Sequence, residues 1–104
     1  MKPSRKAPRY LAYVRTHDCC SCVRGTPIEA HHFGPGGMGL KADDFHAVPL
    51  CRGCHRYFHD TGFLPGSNRI ETVSTFYETQ ARLLVAWLRR ERASDETTSA
   101  DEAF

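Results

Sequence analysis

The sequence predicts a small α+β domain: two short strands and a helix, stapled by a four-cysteine zinc site and followed by a long C-terminal amphipathic helix. Three observations lead there. Two C-x2-C pairs, Cys19/Cys22 and Cys51/Cys54, stand 28 residues apart. Two short apolar stretches flank a glycine-rich loop, and residues 69–92 carry a three-to-four apolar period.

The chain's 104 residues, 40% hydrophobic and 25% charged, leave room for one core. A core of that size is marginal alone, so five cysteines and six histidines point to metal as part of what holds the fold. No apolar run approaches the roughly 18 residues of a membrane span, and residues 1–9 hold basic residues and prolines without an apolar signal core. The expected location is therefore cytoplasmic, with no membrane partner. In a reducing compartment, close-set thiols serve as metal ligands rather than disulfides.

Residues 1–8 form a basic, proline-containing arm, and residues 9–15 a short apolar stretch compatible with a helical turn or a strand. Residues 17–22 read as a metal knuckle and residues 26–33 (TPIEAHHF) as a first strand. Four glycines and a proline in residues 34–39 (GPGGMG) make a loop, extended by residues 41–44. Residues 45–50 (FHAVPL) read as a second strand, antiparallel to the first across a connection long enough to suggest function. Residues 51–59 open a short helix that GFLPGS (62–67) ends. In the helix expected over about 69–92, the stripe of Ile70, Val73, Phe76 or Tyr77, Ala81, Leu84, Val85 and Leu88 reads as core or as a partner seam. Residues 93–104 are acidic and poor in apolar side chains, the composition of a disordered tail. The domain is thus expected to occupy residues 1–92.

Charge is unevenly spread. Residues 1–92 hold 14 basic against 8 acidic side chains, a net of +6, while the tail carries −4. A basic folded part favours an anionic partner, nucleic acid first.

Cys19, Cys22, Cys51 and Cys54 supply the closed tetrahedral thiolate set of a structural Zn²⁺ site, with Cys20 left over. Residues 51–55 also spell C-x2-C-H, the haem-attachment pattern, but that reading needs export and leaves the upstream pair without a role. A closed four-thiolate site does no chemistry, which turns attention to the histidines. Five of the six fall within residues 31–59. His55 and His59 stand at i and i+4 on the expected helix, one face of which they share as a metal pair. His31 and His32 adjoin on a strand, so one can join that metal while the other faces away. A free imidazole beside a metal is a candidate general base.

The phrase EAHHFGPGGMGLKADDFHAVPLCRGCH, with the order C-x2-C, HH, middle position, C-x2-C-H, x3, H, resembles the HNH, or ββα-metal (His-Me finger), endonucleases. Within them it looks like phage-type and prophage-type nucleases, including the Ref-like group. The resemblance covers residues 19–59. It implies that His31 binds a catalytic metal with His55 and His59, that His32 is the general base, and that His46 stands where the family usually has an asparagine bracing the loop and the base. The family often has Asp where this chain has His31, and imidazole ligands suit Mn²⁺, Co²⁺, Ni²⁺ or Zn²⁺ better than Mg²⁺. We expect one structural Zn²⁺ and one catalytic divalent ion, Mn²⁺ favoured.

The expected reaction is hydrolysis of DNA phosphodiester bonds, one strand nicked at a time, leaving 5′-phosphate and 3′-hydroxyl ends. Glu29 is a candidate to orient an imidazole from behind. Lys41, Arg52 and Arg56 lie close enough in sequence to touch phosphates of duplex or branched DNA. No base-reading element is evident, so specificity should be low and salt dependence strong. The helix at 69–92 offers a homodimer seam, and a recombination or packaging partner would fit the resemblance. The rival classes are a non-catalytic zinc-stabilised nucleic-acid-binding module and an interaction protein using the helix stripe.

Overall fold

Pro8 opens α1 (Pro8–Val14) in the computed structural model of the chain, which describes residues 6–34 and 43–103, with side chains through residue 94. Proline suits a first helical turn because its missing N–H would have no intrahelical partner there. Tyr10 and Val14, one turn apart, bury the inner face of α1.

β1 (Ile28–His32) and β2 (Ala47–Cys51) form a two-stranded antiparallel sheet, registered from Ile28 opposite Cys51 to His32 opposite Ala47. All five residues of β2 are buried, as an unbroken apolar run packed against α1, α2 and α3 requires. Pro49 has no N–H to give, and its carbonyl accepts the Cys20 N–H at 2.9 Å. Both strands are shorter than their sequence suggests. Residues 44–46 form a 3-10 turn (Asp44–His46), closed by the His46 N–H donating to the Asp43 carbonyl at 2.8 Å. His46 therefore precedes the second strand instead of beginning it. Its carbonyl accepts the Phe33 N–H at 2.9 Å, ending the ladder.

α2 (Arg52–Thr61) starts directly from β2, with the Cys51 sulfur accepting the Cys54 N–H as an N-cap. It stops at Gly62, whose φ of 84° lies in the left-handed region that glycine adopts at low cost. α3 (Arg69–Ala103) begins with a reciprocal capping box. The Glu71 N–H donates to Asn68 Oδ1 at 2.8 Å, and the Asn68 N–H donates to Glu71 Oε1 at 2.9 Å.

Two apolar clusters make the core. One gathers Val48, Leu50, Leu64 and Phe76 around Cys19, Cys51 and Cys54; the other stacks Tyr10 and Val14 against Leu83 and Trp87. α3 joins both through a face that shares Phe76, and in part Leu84, with the expected stripe but otherwise departs from it. Its buried line is Thr72, Phe76, Thr79, Leu83 and Trp87, whereas Ile70 is 78% exposed, Leu88 63%, and Val73, Tyr77 and Val85 47% each. The physical reason lies in the threonines, which hydropathy counts as polar. Thr72 is buried because its Oγ1 accepts the Leu64 N–H at 2.9 Å. The backbone also remains helical past Arg92 to Ala103, where a disordered tail was expected. Neither glycine nor proline interrupts residues 93–103. Among the described residues, no helix is long and apolar enough to cross a membrane.

Candidate metal centres

The two C-x2-C turns meet because one lies after α1 and the other bridges the end of β2 and the start of α2. In each turn the second cysteine's N–H points at the first cysteine's sulfur: Cys22 to Cys19 at 3.5 Å and Cys54 to Cys51 at 3.4 Å. The Gly25 N–H donates to Cys22 Sγ at 3.2 Å. All four sulfurs lie within 4.8 Å of one another and can hold a metal ion. Cys22 Sγ and Cys51 Sγ are 3.7 Å apart, close to the roughly 3.8 Å between two sulfurs placed 2.3 Å from one tetrahedral Zn²⁺.

Electrostatics agree with that donor set. Burial pushes the Cys19 thiol up, but backbone donors from Cys51, Cys22 and Ser21 outweigh it and bring its pKa down to about 7. Burial and the neighbouring Cys51 thiol push Cys54 up. Four packed thiols cannot all ionise without a cation between them. Cys20 stands apart: burial, then the Cys19 charge, raise its pKa to about 11, leaving it a packed thiol.

Strand alternation builds the second centre. Glu29 and His31 share one face of β1, and both reach the same imidazole on α2. His55 Nδ1–H donates to Glu29 Oε1 at 2.8 Å, which turns the His55 Nε2 lone pair toward His31 Nδ1, 3.1 Å away. His59, one turn along α2, brings its Nε2 to 3.1 Å from His55 Nε2. His31, His55 and His59 form a second set able to hold an ion. Ligand nitrogens about 2.1 Å from one ion stand roughly 3.0–3.4 Å apart, which the His31–His55 and His55–His59 spacings of 3.1 Å fit. Burial, then the charges of His55, His59 and His32, push His31 down to a pKa of about 4, which keeps it neutral and ready as a ligand. Its Nε2 is buried without a hydrogen-bond partner among the described residues, its ring packed against Phe58 and Phe76. The His55 ring, then Arg52 at 3.4 Å, hold the Glu29 carboxyl below its ordinary range.

His32 points to the other face of β1. There its Nε2–H donates to Asp44 Oδ1 at 2.8 Å, while Asp44 Oδ2 accepts the Ala7 N–H at 2.6 Å. Burial alone would raise the Asp44 carboxyl; the Ala7 N–H and the His32 ring outweigh it and hold it low. The group against His32 is thus Asp44, whereas the resemblance implied His46 there. The His46 ring lies beside Phe33, with its Nδ1 buried and without a hydrogen-bond partner among the described residues. Sequence reasoning missed Asp44 because no spacing rule marks it. It also missed Gly25, where a β-carbon would come 2.3 Å from Cys51 Sγ. Of the expected phosphate contacts, Arg52 pairs with Glu29, Arg56 is exposed one turn further along α2, and Lys41 lies outside the described residues.

A four-thiol knuckle joined by strand and helix to a tri-histidine cluster defines a small α+β protein with two candidate metal sites. Residues 2–63 match the DUF968 family, described as a protein family of unknown function, and the chain belongs to it. That match spans both candidate sites and His32 and ends before α3. The chain is similar to the uncharacterized protein YdfU of Escherichia coli (strain K12), 42% identical over 55 residues, which are 49% of this chain and 15% of YdfU. The chain therefore spans a small part of that relative's length. No solved structure matches it.

Proposed function

We propose that this chain is a metal-dependent endonuclease of the HNH, ββα-metal kind, which hydrolyses DNA phosphodiester bonds and nicks one strand with low sequence specificity. The observation that carries the reading is the convergence of His31, His55 and His59 nitrogens on one face of β1, with His32 held by a carboxylate on the other. A fold needing only a structural metal would have no use for that second set beside a complete four-thiol site.

The chemistry such an ion supplies when bound is charge stabilisation at the scissile phosphate and the leaving 3′ oxygen. The remaining steps belong to the chain. His32 has its Nε2–H committed to Asp44, so Nδ1 carries the lone pair and takes the proton from an attacking water, giving 5′-phosphate and 3′-hydroxyl products. Asp44 fixes that tautomer and favours the imidazolium that forms. Glu29 does the equivalent for His55 as a ligand. Arg56 and Arg52 line the start of α2, where the phosphate backbone would run.

Supercoiled plasmid incubated with the zinc-loaded protein and Mn²⁺, Mg²⁺ or chelator tests the reading. Open circles formed with metal, absent with chelator and lost in His32→Ala are expected. No cleavage with any of the divalent ions, from folded protein that still binds DNA, would leave a zinc-stabilised nucleic-acid-binding module.

A further inference from the structure

Beside the tri-histidine cluster lies an open cleft of about 580 Å³. His31 and His32 line one side; Phe33, Phe58, Phe76 and Tyr77 supply the aromatic walls, with Arg69 at the start of α3. That volume falls in the range of about 300–1,000 Å³ that accepts a small organic group. Its walls are aromatic and already packed edge to face. Phe33 meets Tyr77 at 5.0 Å and 84°, and Phe58 meets Phe76 at 5.3 Å and 70°, so the rings are braced before any ligand arrives.

We propose that this cleft receives an unstacked nucleobase of a single-stranded segment adjoining the phosphate held at the histidines. The inference rests on the nuclease reading and deepens it by naming the substrate class. A base within a duplex is stacked on both faces and cannot enter a cleft beside its own backbone without being flipped out, which costs unstacking energy. A base already unpaired enters without that cost and exchanges water for aromatic faces. Arg69 provides the cation that the neighbouring phosphate needs, and the excess of positive charge in residues 1–92 serves the same polyanion. An apolar peptide would use the rings but would leave Arg69 and the histidines without partners.

Tyr77 is the residue to test, because its ring is half exposed at the cleft and its loss removes little from the core. Binding is measured by fluorescence anisotropy with a labelled oligonucleotide containing 2-aminopurine, as a single strand and as its duplex, on zinc-loaded His32→Ala protein. The single strand should bind at least tenfold more tightly than the duplex, with 2-aminopurine quenched on binding. Adding Tyr77→Ala should weaken the single strand roughly tenfold and abolish the quench while leaving the duplex unchanged, and Tyr77→Phe should restore both. Equal affinity for the two forms, or a Tyr77→Ala variant that still discriminates, overturns the cleft proposal and leaves the nuclease reading intact if plasmid is nicked. A dimer in sedimentation that Tyr77→Ala converts to monomer would assign the cleft to a second copy of the chain and equally overturn it. Discrimination without nicking by the unmodified protein would retain the base cleft and remove the catalytic reading.

Discussion

Asp44 joins the N-terminal end of α1 to the imidazole of His32, with one carboxylate oxygen on the Ala7 N–H at 2.6 Å and the other on His32 Nε2 at 2.8 Å. A carboxylate pinned by the backbone is a fixed acceptor, so the imidazole opposite keeps one tautomer and one orientation. Asp44→Ala should lower the nicking rate about 10- to 1,000-fold, somewhat less than the roughly 10²–10⁴ associated with a general base. Zinc content should stay unchanged, and kcat should fall more than KM rises. A variant as fast as the unmodified chain would show that His32 needs no such partner.

Glu29 makes a separable prediction. Its carboxylate accepts from the ring nitrogen of His55 that faces away from the cluster, an interaction that orients a ligand without touching the ion. Glu29→Gln should weaken binding of the second ion about 10- to 100-fold, read by Mn²⁺ titration against a fluorescent chelator. The ion at the four thiols should be retained. Arg52→Ala, which removes only the weaker 3.4 Å contact to Glu29, should have a smaller effect on that affinity.

Much of this was legible in the sequence, and the reasons for the rest are specific. Ligand spacing is local, so C-x2-C and H-x3-H announce their geometry, and strand alternation separates His31 from His32 before any coordinates exist. Glu29 was a candidate to orient an imidazole, and the face of β1 that it shares with His31 shows which one, His55. Asp44 reaches His32 where the resemblance implied His46, because residues 44–46 tighten into a 3-10 turn that sets which side chain faces the imidazole. The buried face of α3 departs from the expected stripe for another reason. Thr72 and Thr79 are buried with their hydroxyls in reach of partners, while larger apolar residues around them stay in solvent, so hydropathy period alone found Phe76 but not the rest of the buried line.

The four-thiol site should decide whether the chain folds at all. Structural zinc sites in small domains contribute about 10–16 kcal/mol, comparable to or above the roughly 5–15 kcal/mol by which a domain is stable. Purified protein is expected to retain one zinc per chain through dialysis and to lose its helical circular dichroism when a strong chelator removes it. Gly25→Ala should have the same consequence without a chelator. The added β-carbon would sit 2.3 Å from Cys51 Sγ and 2.7 Å from Cys51 Cβ, and neither a ligand sulfur nor its anchored carbon can give way. Zinc retained at full stoichiometry in Gly25→Ala would mean that the knuckle tolerates a rearrangement its packing argues against.

Tyr10 offers a test of the core that is independent of both metal sites. Its ring is fully buried against Tyr13, Phe45 and Trp87, yet its hydroxyl has no hydrogen-bond partner among the described residues. An unsatisfied buried hydroxyl costs about 1–3 kcal/mol, so Tyr10→Phe, which keeps the ring and removes only that group, should stabilise the zinc-loaded protein by about 1 kcal/mol. The pH dependence follows from the raised pKa. Burial, then the neighbouring Tyr13, push Tyr10 from 10.0 to about 12 in the folded chain. Below pH 10 the phenol is neutral in both states and its contribution to stability is fully present. As pH rises from 10 toward 12 the unfolded chain ionises first, and that contribution is lost. Denaturant melts of the two proteins should therefore diverge in this window, with Tyr10→Phe losing less stability as pH rises. A variant less stable than the parent at neutral pH would mean that the hydroxyl is satisfied by an internal water, and the divergence above pH 10 would shrink with it.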